Sequence, residues 1–182
     1  MPTLINQSFF IRDINLPNTT EAKVIERIQS FINKYEPQCL LQILGYPLYK
    51  LVGVESSARM TALLSGAEYT DEAGELQKWQ GLVHDTDISL IADYVYYFIQ
   101  EADAKKTTGV STAAMKTAAA ESVSPMDKMV NAWNFFSSET RSMISFLWMK
   151  KEIDGSRTYP EFSAHQYLKT KNLSRPINSF NF

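Results

Sequence analysis

The sequence predicts an all-α fold: a bundle of about four or five helices with a minor β-hairpin and extended N- and C-terminal arms. Three observations predict it. Apolar residues recur at spacings of three and four in long windows, as one face of a helix requires. Helix-starting and helix-stopping residues bracket those windows. Alternation of apolar and polar residues, the mark of a half-buried strand, is confined to one short stretch, and even there it is imperfect.

Residues 1–19 read as an extended arm. Phe9, Phe10 and Ile11 are apolar, Pro17 closes the segment, and Asn18 is placed to cap a helix with Glu21 three residues on. Val24, Ile25, Ile28, Phe31 and Ile32 then predict a helix over about 20–34. Pro37 suits the first turn of a second helix, whose stripe is Cys39, Leu40, Ile43 and Leu44 and whose stop is Gly45. A short helical turn follows at 46–52, and a short helix over 56–65 ends at Gly66. The hairpin is expected at about 67–84, with Tyr69, a turn at Asp71 to Gly74, then Leu76, Trp79 and Leu82.

Two long helices come next. The first starts at Asp85-Thr86-Asp87, whose charges suit a helix N-terminus, and carries Ile88, Ile91, Ala92, Val95, Phe98, Ile99 and Ala102. The second opens with Ser124, Pro125 and Asp127 and carries Met129, Val130, Trp133, Phe136, Met143, Ile144, Leu147 and Trp148. The segment between them, 107–123, holds six Ser or Thr and five Ala but no aromatic residue. It has too little to bury to order itself, so it is expected to be a mobile loop with a contact role. The main domain is thus 20–153. From Asp154-Gly155 onward no helical stripe is visible, and 154–182 reads as an extended tail with aromatic anchors. Its basic residues Arg157, Lys169, Lys171 and Arg175 outnumber Asp154 and Glu161.

Composition narrows the function. The 182 residues carry 18 basic and 20 acidic side chains, without the basic surplus of a protein that binds nucleic acid by neutralising phosphates. One cysteine makes no internal disulfide and no CxxC site. Two histidines, His84 and His165, leave a zinc site dependent on carboxylates. The length suits a single domain. The N-terminus lacks the pattern of a signal peptide, and the longest apolar stretch, 90–99, is interrupted by Asp93 and falls short of a membrane span, so the chain reads as intracellular and soluble.

Phosphate-cradling glycine patterns, a GxSxG elbow and HExxH are all missing from the sequence. Cys39 sits in a helical stripe and reads as a buried structural thiol. His84-Asp85-Thr86-Asp87 is the nearest approach to a metal constellation, and it reads as a helix start. Glu101 with Asp103, and Glu21 with Glu26, read as solvated carboxylates. The run Tyr94-Val95-Tyr96-Tyr97-Phe98 spreads around a helix at 100° per residue, so it suits a core and a subunit interface better than a stacking platform. No catalytic residue, cofactor or metal is therefore expected. The aromatics of the two arms have no stripe to belong to, and they are expected to dock on other chains.

Several short motifs occur in order: Phe31-Ile32-Asn33-Lys34-Tyr35-Glu36, Leu40 to Gly45 with Tyr49, Leu64-Ser65-Gly66-Ala67-Glu68-Tyr69, Trp79-Gln80-Gly81-Leu82, Ile91 to Tyr97, Thr107-Thr108-Gly109-Val110, Ala132-Trp133-Asn134 and Tyr159-Pro160. Over about 20–162 this pattern resembles the head–tail connector (adaptor, or neck ring) proteins of tailed phages, especially those of Bacteroides-type hosts and crAss-like phages. The resemblance implies a mostly helical, non-enzymatic virion protein, made in the host cytoplasm. It implies a ring, usually of twelve copies, between the portal protein and the next neck or tail component. DNA would meet it only in passage through the channel, and no membrane would be involved. The tail beyond Phe162 departs from the shorter adaptors. The residues expected at interfaces are Phe9, Phe10, Ile11, Tyr69, Trp79, Val110, Met115, Tyr159, Phe162, Tyr167, Phe180 and Phe182. The rival readings are a tail-completion or terminator protein, and a small helical enzyme or ligand-binding bundle that uses the tyrosine-rich helix and His84.

Overall fold

The computed structural model describes residues 3–17, 20–84, 87–107 and 125–177. It is an all-α bundle with a small two-stranded antiparallel sheet. Helix α1 is Ala22–Leu44, α2 is Tyr46–Tyr49, α3 is Ala58–Ser65, α4 is Leu90–Thr107, α5 is Pro125–Met149 and α6 is Ala164–Leu173. Strands β1, Ala67–Thr70, and β2, Leu76–Trp79, form the hairpin, with Ala67 opposite Trp79 and Thr70 opposite Leu76. Two single 3-10 turns, Gln7–Phe9 and Arg12–Ile14, shape the N-terminal arm.

Helix α1 runs unbroken through Pro37, where two helices were expected. An interior proline removes one backbone hydrogen bond and crowds the preceding turn. One continuous buried face, Ile28, Ile32, Glu36, Leu40 and Ile43 together with Cys39 and Leu44, holds both halves in a single helix. The stop at Gly45 is as expected: its φ of +76° is left-handed, and a Cβ there would stand 2.7 Å from the Gln166 side chain. The expected caps Asn18, Asp85 and Ser124 lie outside the described residues. Helix α4 is capped by Ser89, whose hydroxyl accepts from the Ile91 N–H at 3.1 Å and donates to the Leu82 carbonyl at 2.7 Å.

Helix α4 lies between α1 and α5. Its residues from Leu90 to Tyr96 are all buried, so its first half is covered on every side. Tyr94 packs against Phe98, Trp133 and Phe136, with ring centroids 5.0, 6.4 and 5.1 Å away. The tyrosine-rich helix is therefore core over 90–96, whereas Tyr97 and Phe98 are half-buried.

The tail is a correction. Residues 164–173, expected to be extended, form α6. Ser163 accepts from the Gln166 N–H at 3.2 Å and so starts the helix. The buried side chains of α6 are Gln166 and Thr170. The Gln166 amide donates to the Gln42 carbonyl at 2.7 Å, and the Thr170 hydroxyl donates to the Ile43 carbonyl at 3.0 Å. Helix α6 thus satisfies carbonyls that the end of α1 leaves open. The chain then runs along α5, where Trp133 donates to the Arg175 carbonyl at 2.9 Å and Asn134 pairs with the Ile177 backbone.

Candidate functional site: a cleft between the arm and the long helices

The arm reaches the bundle because Glu36, only 3% exposed, accepts the N–H groups of Leu4 and Ile5 at 2.8 and 3.2 Å. Phe9 and Phe10 are buried beyond that tether. The next residues, 11–14, stand over the start of α4 and the first turns of α5. Together they enclose an open cleft of about 510 Å³. The arm contributes Phe9, Ile11, Arg12, Asp13 and Ile14; the α4 side contributes Asp87, Ile88, Ser89 and Asp93; α5 contributes Lys128, Asn131, Ala132 and Phe135. Ile11 and Phe135 are large apolar side chains exposed on this cleft, 37% and 42%.

Two properties set the cleft apart. First, the described non-glycine residues with left-handed backbone are Arg12, φ +58°, and Asp87, φ +55°, and both line it. Each such conformation costs about 1 kcal/mol or more, and strain of this kind gathers where a site needs it. Second, Asp93 lines the cleft while only 6% exposed. Among the described residues the ion pairs are Arg27 with Asp103 and Arg59 with Glu55 and Glu161, and none includes Asp93. Burial first, and then the charges of Glu139 and Asp13, push its pKa up to about 8. Glu139 is raised by its own burial, with His84 acting in the opposite sense.

The residues expected at interfaces divide into groups. Phe9 and Ile11 line the cleft. Phe10, Tyr159 and Phe162 are core residues, not free anchors, which corrects the expectation for the arms. Tyr69, Trp79 and Tyr159 surround Phe146, with centroids 5.5, 6.0 and 5.4 Å from its ring. Tyr159 also donates to the Arg59 carbonyl at 2.6 Å, and Arg59 holds Glu161 at 3.0 Å. Tyr167 packs on Trp148 at 4.9 Å, under the Arg157 guanidinium 4.2 Å from the Trp148 ring. The bundle leaves gaps at its edges, and the arms fill them in cis. Val110, Met115, Phe180 and Phe182 lie outside the described residues, as does nearly all of the 107–123 loop.

Cys39 is fully buried, and burial followed by the Glu36 charge pushes its thiol pKa well up. His84 lies 2.9 Å from the Gln80 side-chain oxygen. Among the described residues no three His, Cys, Asp or Glu side chains are grouped to hold a metal ion. No described helix is long and apolar enough to cross a membrane. Sequence reasoning missed Asp93, Arg12 and Phe135. The available signal was Asp93 itself, a carboxylate inside the apolar run Ile91-Ala92-Asp93-Tyr94-Val95 of a helix read as packed on several sides. No protein-family model, curated protein or solved structure matches the chain.

Proposed function

We propose that the chain is a structural virion protein, a head–tail connector that forms a ring in a phage neck between portal and tail, with a channel for DNA. The helical bundle agrees with the mostly helical fold that the sequence resemblance implies for such adaptors. The observation that carries the reading is the presence of large exposed apolar side chains on different elements. Ile11 and Phe135 stand on the cleft, whereas Leu41, Tyr46 and Leu168 stand at the end of α1, on α2 and on α6. A ring subunit meets its two neighbours head to tail, so it needs two different surfaces of this kind.

Mass measurement of the purified full chain, alone and mixed with a tailed-phage portal protein, tests the reading. The expected result is a discrete assembly of about twelve copies. A chain that stays monomeric both alone and with portal overturns it. A second reading, a ligand-binding helical bundle, is favoured by the cleft and its buried carboxylate. Saturable binding of a small molecule by a persistently monomeric chain would select that reading.

A further inference from the structure

The geometry points to the cleft between the arm, α4 and α5 as a binding site for an organic cation, an ammonium or guanidinium group on an apolar stem, with its charge on Asp93. Three observations carry this. Asp93 is a buried carboxylate that lines an accessible cleft, and it has no ion-pair partner among the described residues. Without a partner the buried group stays a neutral carboxyl, and an incoming cation supplies the counter-charge that its ionised form requires. Phe9, Ile11 and Phe135 give the same cleft apolar walls, and an aromatic face favours a nearby cation. The strained backbone at Arg12 and Asp87 shapes two of its borders. The volume is in the range of small-ligand sites. The apolar walls suit a cation that carries its charge on an organic stem.

The charges acting on Asp93 are Glu139 of α5 and Asp13 of the arm, with His84 acting on Glu139; Arg12, Asp87 and Lys128 are the other titratable groups that line the cleft. In the free protein Asp93 holds a proton up to about pH 8. A docking cation displaces that proton, so its affinity rises with pH and levels off near that value.

The test titrates the full chain, labelled with nitrogen-15, with n-pentylammonium chloride and, separately, with 1-pentanol as the uncharged counterpart. Amide shifts of 9–14, 88–93 and 128–135 are followed. The expected result is saturable binding of the ammonium about tenfold tighter than the alcohol, lost in Asp93→Asn. Phe135→Ala, at an exposed position, weakens it several-fold and keeps the test decisive where Asp93→Asn fails to fold. Equal response to both probes, no saturable response, or wild-type affinity in Asp93→Asn overturns the proposal. Sedimentation with the probe present identifies the natural source. A fall in assembled mass assigns the cation to a lysine or arginine of a second copy; unchanged mass assigns it to a free amine.

Discussion

Asp93 ties burial to pH. Its folded pKa is about 8 against an unfolded value of 3.8, so between those values the folded chain holds a proton that the unfolded chain has released. Stability therefore falls as pH rises through that window, by up to about 1.4 kcal/mol per unit from this one group, and the loss is complete above it. Denaturant unfolding at a series of pH values should show this slope in the wild type. Asp93→Asn, close in shape and unable to ionise, should flatten it and be the more stable protein at alkaline pH. An unchanged slope in the variant would place the titration elsewhere. From the sequence, Asp93 was visible only as an interruption of an apolar stretch. What makes it unusual is the cover supplied by residues 9–14, about eighty positions away along the chain, and no local pattern reports that cover.

The elements were legible in proportion to how much of their docking is apolar. Helices α4 and α5 carry long stripes of Ile, Val, Phe and Trp, and the sequence places them well. The hairpin announced itself through its Asp71 turn, where the carboxylate accepts the N–H groups of Ala73 and Glu75, both at 2.9 Å. Helix α6 was missed because it docks through Gln166 and Thr170 rather than through a stripe, while its Leu168 is 59% exposed. Ser163 with Gln166 three residues on matches the sequence pattern of a capping box, the local sign it offered. Pro37 misled in the other direction, since its backbone penalty is outweighed by the buried face on either side of it. The N-terminal arm depends on a single carboxylate in a similar way. Glu36→Ala leaves the N–H groups of Leu4 and Ile5 without their partner and should cost about 1–3 kcal/mol. It should also speed tryptic cleavage after Arg12 well beyond the rate in wild type. Equal cleavage rates would mean that Phe9 and Phe10 hold the arm unaided.

At the scale of the molecule, both arms complete the core. Tyr159 and Phe162 are fully buried, and Tyr159 packs on Phe146. A chain ending at residue 153 should expose that surface. It should bind a hydrophobic dye strongly in native buffer and unfold at lower denaturant than the full chain, whereas wild-type behaviour would show the tail to be an ornament of the bundle. If the ring forms, its contacts therefore fall on surfaces left over after the arms have packed. The Glu36 carboxylate and the Gln42 and Ile43 carbonyls, all in the second half of α1, receive the N-terminal arm and helix α6. The separations are 32 and 31 residues on one side and 124 and 127 on the other. This imposes an order in time on a chain emerging from the ribosome. The N-terminal clasp has both of its parts early, but the partners of Gln42 and Ile43 are made 124 and 127 residues later. Until then α1 waits with its final carbonyls turned to water, and closing so long a loop comes late in folding.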